Sequence, residues 1–117
     1  MHLADYSRLD ATALADAIRR KETTAAEAQR CAREAAAALN QQLNAIIELF
    51  DAPLAHEAQG PFGGVPFRFE NVLLQAEGVR CQAGSRLFGA GLPAPADSAL
   101  MARFRRAGFA TDRKSVV

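Results

Sequence analysis

The hydrophobic and polar positions of the first forty residues repeat with the period of amphipathic helices. Behind Asp10, which can cap a helix, apolar residues follow the i, i+3, i+4, i+7 spacing as far as Ile18. The stretch Thr24-Ala25-Ala26-Glu27 has the form of a capping box, and the alanine-rich run behind it predicts a longer helix to about Leu39. The chain is therefore predicted to begin with a helical hairpin.

After the hairpin the pattern changes to short strands. Residues 43–50 are mostly apolar and rich in isoleucine, which predicts a mostly buried strand. Residues 65–69 alternate as a second strand that follows a glycine-rich turn. Between the two strands, Asp51 is predicted to cap a short third helix that Gly60 ends.

One more helix and one more strand complete the pattern. Asp97 is predicted to cap a helix over residues 98–107, and a strand is predicted to start at Phe109. Strands that alternate with helices favour a mixed or parallel sheet with helices on its faces. The predicted fold class is α/β, a helical hairpin followed by strands of a mixed sheet that helices cover.

Composition and charge exclude some classes of partner. The chain has 117 residues, 50% hydrophobic and 23% charged, and a formal net charge of +1. This suits one modest core and gives no reason to expect a nucleic acid or a membrane surface as partner. Because residues 1–10 lack the features of a signal peptide and no apolar run approaches a membrane helix in length, we expect a cytoplasmic protein.

The two cysteines do not suggest a metal or redox site. Cys31 and Cys81 are far apart, form no CxxC motif and have no neighbouring histidine, so we expect free thiols. The sequence contains no other pattern that calls for a metal or an organic cofactor.

Two stretches resemble the amidase signature family, serine hydrolases of carboxamides. Residues 60–71 read GPFGGVPFRFEN, where the family has G-P-[LF]-x-G-[VI]-P-[FVY]-x-[VLI]-K-D. A second run, PADSALMARFRRAG, is similar to the family block A-x-x-D-S-x-[LV]-[VM]-x-[RK]-[LF]-[RK]-x-A-G. The resemblance implies that residues 1–111 are the N-terminal portion of a single amidase-signature domain.

The first block departs from the family at its last two positions. Glu70 and Asn71 stand where the family has Lys-Asp, and that lysine is the general base of the family's Ser-cisSer-Lys triad. Three interpretations of Glu70 compete: a non-catalytic relative, a sequencing error that hides a lysine, or a buried glutamate that serves as an alternative base. The third is the least favoured, because a carboxylate is shorter than a lysine side chain and reaches the serine poorly.

A further serine invites a catalytic interpretation. Ser85 lies in the segment CQAGSRLF, which resembles the family's T-T-x-G-S-x-L. The nucleophile-elbow pattern G-x-S-x-G is absent, and the family's serine at this place is not a triad member, so we expect Ser85 to cap a helix.

The resemblance implies a function for an intact parent protein. That function is hydrolysis of a small-molecule amide at its C–N bond through an acyl-enzyme, without a metal or organic cofactor, while the fragment itself is expected to be inert. The alternative is a non-catalytic amidase-fold binding or assembly subunit, which Glu70 favours. A third possibility is the amidotransferase branch that works on charged transfer RNA with partner subunits, although nothing in the sequence selects it. The oligomeric state stays open.

The last six residues fit the family pattern poorly. After Thr111 the family continues with L-G-[KR]-T-N, whereas this chain reads DRKSVV. One back-translation of these residues and a stop, GAT CGG AAG AGC GTC GTG TAG, coincides with a common short-read sequencing adaptor. Residues 112–117 are therefore predicted to be a non-native tail, and the triad serines would lie in sequence that this chain does not contain.

Overall fold

Helices form the first part of the chain. A computed structural model describes residues 1–70 and 72–115, and Asn71, Val116 and Val117 lie outside the described part. The helices in this first part are α1 (Leu3–Tyr6), α2 (Ala11–Arg19) and α3 (Ala25–Leu43). Asp10 caps α2 by accepting a hydrogen bond from the Ala13 backbone N–H at 2.8 Å, and the capping box at Thr24 is present. The predicted helical hairpin is confirmed, with α3 running four residues beyond the predicted end.

Five strands and a fourth helix follow. They are β1 (Ile46–Leu49), β2 (Pro66–Glu70), β3 (Arg80–Cys81), β4 (Leu92–Pro93), α4 (Ala99–Ala107) and β5 (Ala110–Ser115). The strand order β1-β5-β2 makes a three-stranded sheet, in which β5 is antiparallel to β1 and parallel to β2. β3 and β4 form a separate antiparallel pair. The predicted mixed sheet is confirmed.

Helices pack on both faces of the three-stranded sheet. α3 lies on one face, where the Gln29 side-chain amide donates to the Ala110 carbonyl at 2.9 Å. α4 lies on the other face, where the Phe104 ring centroid is 4.7 Å from that of Phe67. Because neighbouring residues of a strand point to opposite faces, β2 contributes alternately to the two layers. The core is therefore built on both sides of β2.

The expected burial of the first strand is wrong. Three of the four residues of β1 are exposed, and Leu49 keeps 46% of its accessible surface. In the described part, β1 pairs with β5 along one side only and so lies at an edge of the sheet. An apolar run does not by itself distinguish a central strand from an edge strand, because that depends on what pairs with it.

The predicted third helix is also absent. Residues 51–60 contain bends and turns, and their backbone groups bind elsewhere in the fold. The Leu54 N–H donates to the Thr111 carbonyl at 2.8 Å, and the Glu57 N–H donates to the Arg105 carbonyl at 2.9 Å. These two N–H groups bind carbonyls of β5 and α4. They are therefore not available for the i to i−4 hydrogen bonds of a helix after Asp51.

The cap of α4 differs from the prediction by one residue. Ser98 is the N-cap, because its hydroxyl accepts a hydrogen bond from the Met101 N–H at 3.3 Å. The Asp97 carboxylate instead accepts hydrogen bonds from the Arg105 guanidinium at 2.6 and 3.0 Å and from the Glu77 N–H at 2.7 Å. Asp97 therefore joins the start of α4 to the loop before β3.

Candidate functional site

The glycine-rich turn fixes where β2 begins. The Gly64 N–H donates to the Gly108 carbonyl at 3.0 Å, which holds the turn against the C-terminal end of α4. A Cβ at Gly63 would stand 2.1 Å from the Ala58 carbonyl oxygen, so the turn has no room for a larger residue there. Gly64 itself has a φ of 79°, a conformation that favours glycine. The turn and α4 thus form a rigid support for β2.

Glu70 lies at the end of that strand. It is the last residue of β2, exposed, and its register partner on the parallel strand β5 is Ser115. The carboxyl end of parallel strands is the edge at which α/β folds place their functional groups. Asn71, the second position that departs from the family block, lies outside the described residues.

An apolar groove of about 360 Å³ borders Glu70. The polar residues at its wall are Arg68, Glu70 and Ser98, and its apolar lining consists of Phe67, Phe69, Leu73, Leu74, Leu100 and Phe104. Among the described residues, neither Arg68 nor Glu70 takes part in an ion pair. Glu70 is exposed among the described residues, and its interpretation as an alternative base, which calls for a buried carboxylate, stays a prediction.

Ser85 has the structural role expected from the sequence. Its hydroxyl accepts a hydrogen bond from the Leu87 N–H at 3.2 Å and so caps the short 3₁₀ turn Arg86–Phe88. Within residues 1–70 and 72–115, no group of three or more His, Cys, Asp or Glu side chains is placed to hold a metal ion. None of the helices in the same residues has the length and apolar character that crossing a membrane requires.

The sequence did not point to a buried charged network on β5. The Asp112 carboxylate is fully buried and pairs with Arg33 at 3.1 Å and Arg113 at 2.5 Å. Lys114, also buried, pairs with Glu48 at 2.5 Å and donates to the Arg80 carbonyl at 2.8 Å. Asp112, Arg113 and Lys114 belong to the segment predicted to be a non-native tail, and no local pattern indicated that this segment would occupy the middle of the sheet.

Known proteins resemble this chain in sequence and in structure. No protein-family model matches it. It is 31% identical over 118 aligned positions to a glutamyl-tRNA(Gln) amidotransferase subunit of Salinispora arenicola (strain CNS-205), covering 91% of this chain and 24% of that protein.

The structural matches are to 6-aminohexanoate cyclic dimer hydrolase. One solved structure of this hydrolase gives a TM-score of 0.78 at 27% identity, over 98% of this chain and 24% of the other. A second structure, complexed with substrate, gives a TM-score of 0.74 at 28% identity, over 92% of this chain and 23% of the other. The chain spans about a quarter of the length of the relatives that it matches.

The fold brings together the two sequence blocks that resemble the family. The turn before β2 and the C-terminal end of α4, which carry those blocks, contact each other directly through Gly64 and Gly108. The chain is thus similar to amidase-signature proteins in sequence, and its structure matches a part of the amidase-signature fold.

Proposed function

We propose that the intact parent of this chain is an amidase-family hydrolase that cleaves a carboxamide C–N bond by a Ser-cisSer-Lys type mechanism. The observation that carries this proposal is the joint match, in sequence to an amidotransferase protein and in structure to a hydrolase. In this mechanism a serine attacks the amide carbonyl to form an acyl-enzyme, and a lysine amine accepts the proton that a second serine relays. The proposed substrate is a small-molecule amide, and the proposed location is the cytoplasm.

Of the three triad positions, only the lysine position falls within this chain, and Glu70 occupies it. The carboxylate is negatively charged at neutral pH and stands beside an apolar groove, without an amine that could take the relayed proton. The chain on its own is therefore proposed to be inactive. No metal and no organic cofactor is part of the proposal.

A second candidate is a non-catalytic amidase-fold protein that binds a ligand or assembles with a partner. The observation that favours it is Glu70 itself, because a carboxylate is shorter than the lysine amine that the mechanism uses and reaches the serine poorly. The apolar groove beside Glu70 would then serve binding rather than turnover.

One measurement separates the two candidates. Long-read sequencing of the parent DNA across codon 70 and beyond codon 111 would show whether the serine-bearing block follows and which residue codon 70 encodes. A lysine codon followed by that block supports the hydrolase. A glutamate codon followed by intact serines supports the non-catalytic protein, and absence of a serine-bearing block rules out the hydrolase for the parent.

We also propose that residues 112–117 are not native to the parent. The proposal is supported by charged side chains that are buried on β5, the middle strand of the sheet. Asp112 and Lys114 are at most 2% exposed. Burying charges requires costly desolvation, and a central strand covered on both faces is ordinarily apolar. The same sequencing experiment reads these codons directly.

A further inference from the structure

The helix α4 holds the chain on both sides of β2. Before the strand, the Gly64 N–H donates to the carbonyl of Gly108, the C-cap of α4, at 3.0 Å. After the strand, the N–H of Ser98, the N-cap of α4, donates to the Gln75 carbonyl at 2.9 Å. The two ends of one helix therefore fix the segments that enter and leave β2.

At the second of these contacts, the Asp97 carboxylate ties the post-β2 loop (residues 72–79) to α4. It accepts a hydrogen bond from the Glu77 N–H at 2.7 Å, and it accepts two from the Arg105 guanidinium at 2.6 and 3.0 Å. Arg105 also donates to the Ala55 carbonyl at 2.7 Å. A bidentate carboxylate–guanidinium pair is strong and directional. This pair links three segments that are distant in sequence.

Apolar packing joins the same loop to the end of β2. Ala76 of the post-β2 loop is 1% exposed and lies in one buried cluster with Phe69 of β2 and Met101 of α4. Phe69 directly precedes Glu70, so the packing of the loop acts on the last turn of the strand's course. Every residue in these contacts lies within residues 1–111, and the arrangement does not depend on the segment proposed to be non-native.

Asp97 is available for this role because another residue caps α4. An Asp at the start of a helix commonly accepts hydrogen bonds from the N–H groups of the first turn. In this chain the Ser98 hydroxyl does so, by accepting from the Met101 N–H at 3.3 Å. Both oxygens of the Asp97 carboxylate are therefore directed to Glu77 and Arg105.

We propose that Asp97 is a positioning residue for the end of β2: with Arg105 it fixes the post-β2 loop, and the loop fixes the side chain at position 70. The inference rests on the proposed function, since position 70 is the lysine position of the proposed triad. A base must lie within about 2.6–3.2 Å of the group whose proton it accepts. A displacement of about 1 Å at such a position can lower the rate by about 10²-fold.

The first test is ¹⁵N relaxation of the backbone amides of this chain, which measures motion within the folded state rather than the stability of the fold. Asp97→Ala is expected to lower the order parameters of the post-β2 loop from about 0.85, typical of a rigid backbone, to about 0.6 or less. The reason is that the Glu77 N–H and the Arg105 guanidinium both lose their acceptor. The order parameters of α2 and α3 should not change.

Two further variants distinguish this role from a general loss of structure. Glu34→Ala removes the carboxylate of an exposed ion pair with Arg30 and should leave the post-β2 loop unchanged. Asp97→Asn keeps an oxygen for the Glu77 N–H and should give a smaller loss of order than Asp97→Ala, and it provides the measurement if Asp97→Ala does not fold. Unchanged order in the loop of the Asp97 variants, or an equal loss of order in α2 and α3, would overturn the proposal.

The second test uses the intact parent and separates this inference from the proposed function. In a parent that hydrolyses amides, Asp97→Asn is expected to lower kcat by roughly tenfold or more and to leave KM within about twofold, because it disturbs the reacting geometry and not substrate binding. An unchanged kcat would overturn the positioning role. A parent without hydrolysis would contradict the proposed function instead, and the relaxation measurement would still decide whether Asp97 fixes the loop.

Discussion

At the scale of single residues, Glu70 is where the sequence departs from the family that it resembles at a position that matters for the proposed activity. The glycine-rich turn and β2 that the family block predicts are both present. The block departs from the family pattern at Glu70, the last residue of that strand, and at Asn71, which lies outside the described residues. The fold therefore does not by itself determine the reaction. The reaction depends on which side chain stands at the end of this strand.

The first prediction concerns this position. In the intact parent, if codon 70 encodes glutamate, Glu70→Lys is expected to raise kcat for amide hydrolysis by roughly 10²- to 10⁴-fold, the usual contribution of general acid–base catalysis. Glu70→Gln is the matched control, because it removes the charge without supplying a base and should stay inactive. The assay is release of the amine from a set of simple amides. An unchanged rate for Glu70→Lys would show that inactivity has another cause.

The second prediction concerns Asp97. Hydrogen bonds from Arg105 hold the pKa of the Asp97 carboxyl below its usual range, although its partial burial opposes them. Replacing Asp97 with Asn removes the charge from this bidentate pair and is expected to lower the free energy of unfolding by about 1–3 kcal/mol at pH 7. Glu34→Gln is the control, since its pair with Arg30 is exposed and such pairs contribute about 0–1 kcal/mol.

The same pair predicts a pH dependence with a definite sign. A carboxyl whose pKa is lower in the folded state stabilises the fold above its unfolded-state pKa, about 3.9 for Asp, and loses that contribution as the pH falls through the folded-state pKa. The stability difference between the parent chain and Asp97→Asn should therefore be full at pH 6 and shrink below about pH 4. Urea unfolding at several pH values measures it, and a difference that grows in acid would contradict the assignment.

At the scale of elements, β5 combines a central position with an unusual sequence. It lies between β1 and β2, yet Asp112, Arg113 and Lys114 are all buried. One guanidinium nitrogen of Arg113, Nη2, is buried without a hydrogen-bond partner among the described residues. The strand is therefore held in the sheet by its backbone pairing and by ion pairs, rather than by apolar side chains.

The third prediction follows from the cost of burying those charges. Replacing all three residues with apolar ones of similar size, Asp112→Leu, Arg113→Met and Lys114→Met, is expected to leave stability unchanged or to raise it by about 1–4 kcal/mol. Asp112→Ala alone should destabilise by about 3–5 kcal/mol, because it leaves Arg113 buried without its carboxylate. Urea unfolding compares the variants. If the triple variant were as unstable as the single one, the charges would be required, which opposes the proposal of a non-native strand.

At the scale of the whole molecule, large apolar side chains are exposed, and several of them lie in the segment 87–92. Leu87 is 88% exposed and Leu92 is 79% exposed, on either side of the residues that join the 3₁₀ turn to β4. Clustered exposed apolar surface of this kind marks a site of protein contact or a risk of aggregation. Two edge strands in the described sheet, β1 and β2, add to that risk.

The fourth prediction is that the isolated chain aggregates as its concentration rises, and that Leu87→Ser/Leu92→Ser slows this aggregation. The reason is the loss of exposed apolar surface at a segment that carries little of the core. Light scattering over time measures the rate. Gln41→Ser/Gln42→Ser is the control, because it adds the same side chains at exposed positions of α3 without removing apolar surface. Equal rates for the two double variants would place the aggregating surface elsewhere.

The sequence predicts where Glu70, the candidate site residue, lies: at the end of a strand. Residues 65–69 were predicted as a strand after a glycine turn, and β2 is found at Pro66–Glu70 with Glu70 at its end. The groove beside Glu70 was not predictable, because Leu73, Leu100 and Phe104 come from segments that meet β2 only in the folded chain.

The sequence by itself determined the features whose causes lie within a few neighbouring residues. The caps at Asp10 and Thr24, the helices behind them and the turn into β2 follow from local hydrogen bonds and from conformational limits. Three other features depend on the tertiary structure: the exposure of β1, the irregular course of residues 51–60 and the pairing of Asp97 with Arg105. The physical reason is that burial and hydrogen-bond partners are set by contacts between distant segments, and no local pattern records those contacts.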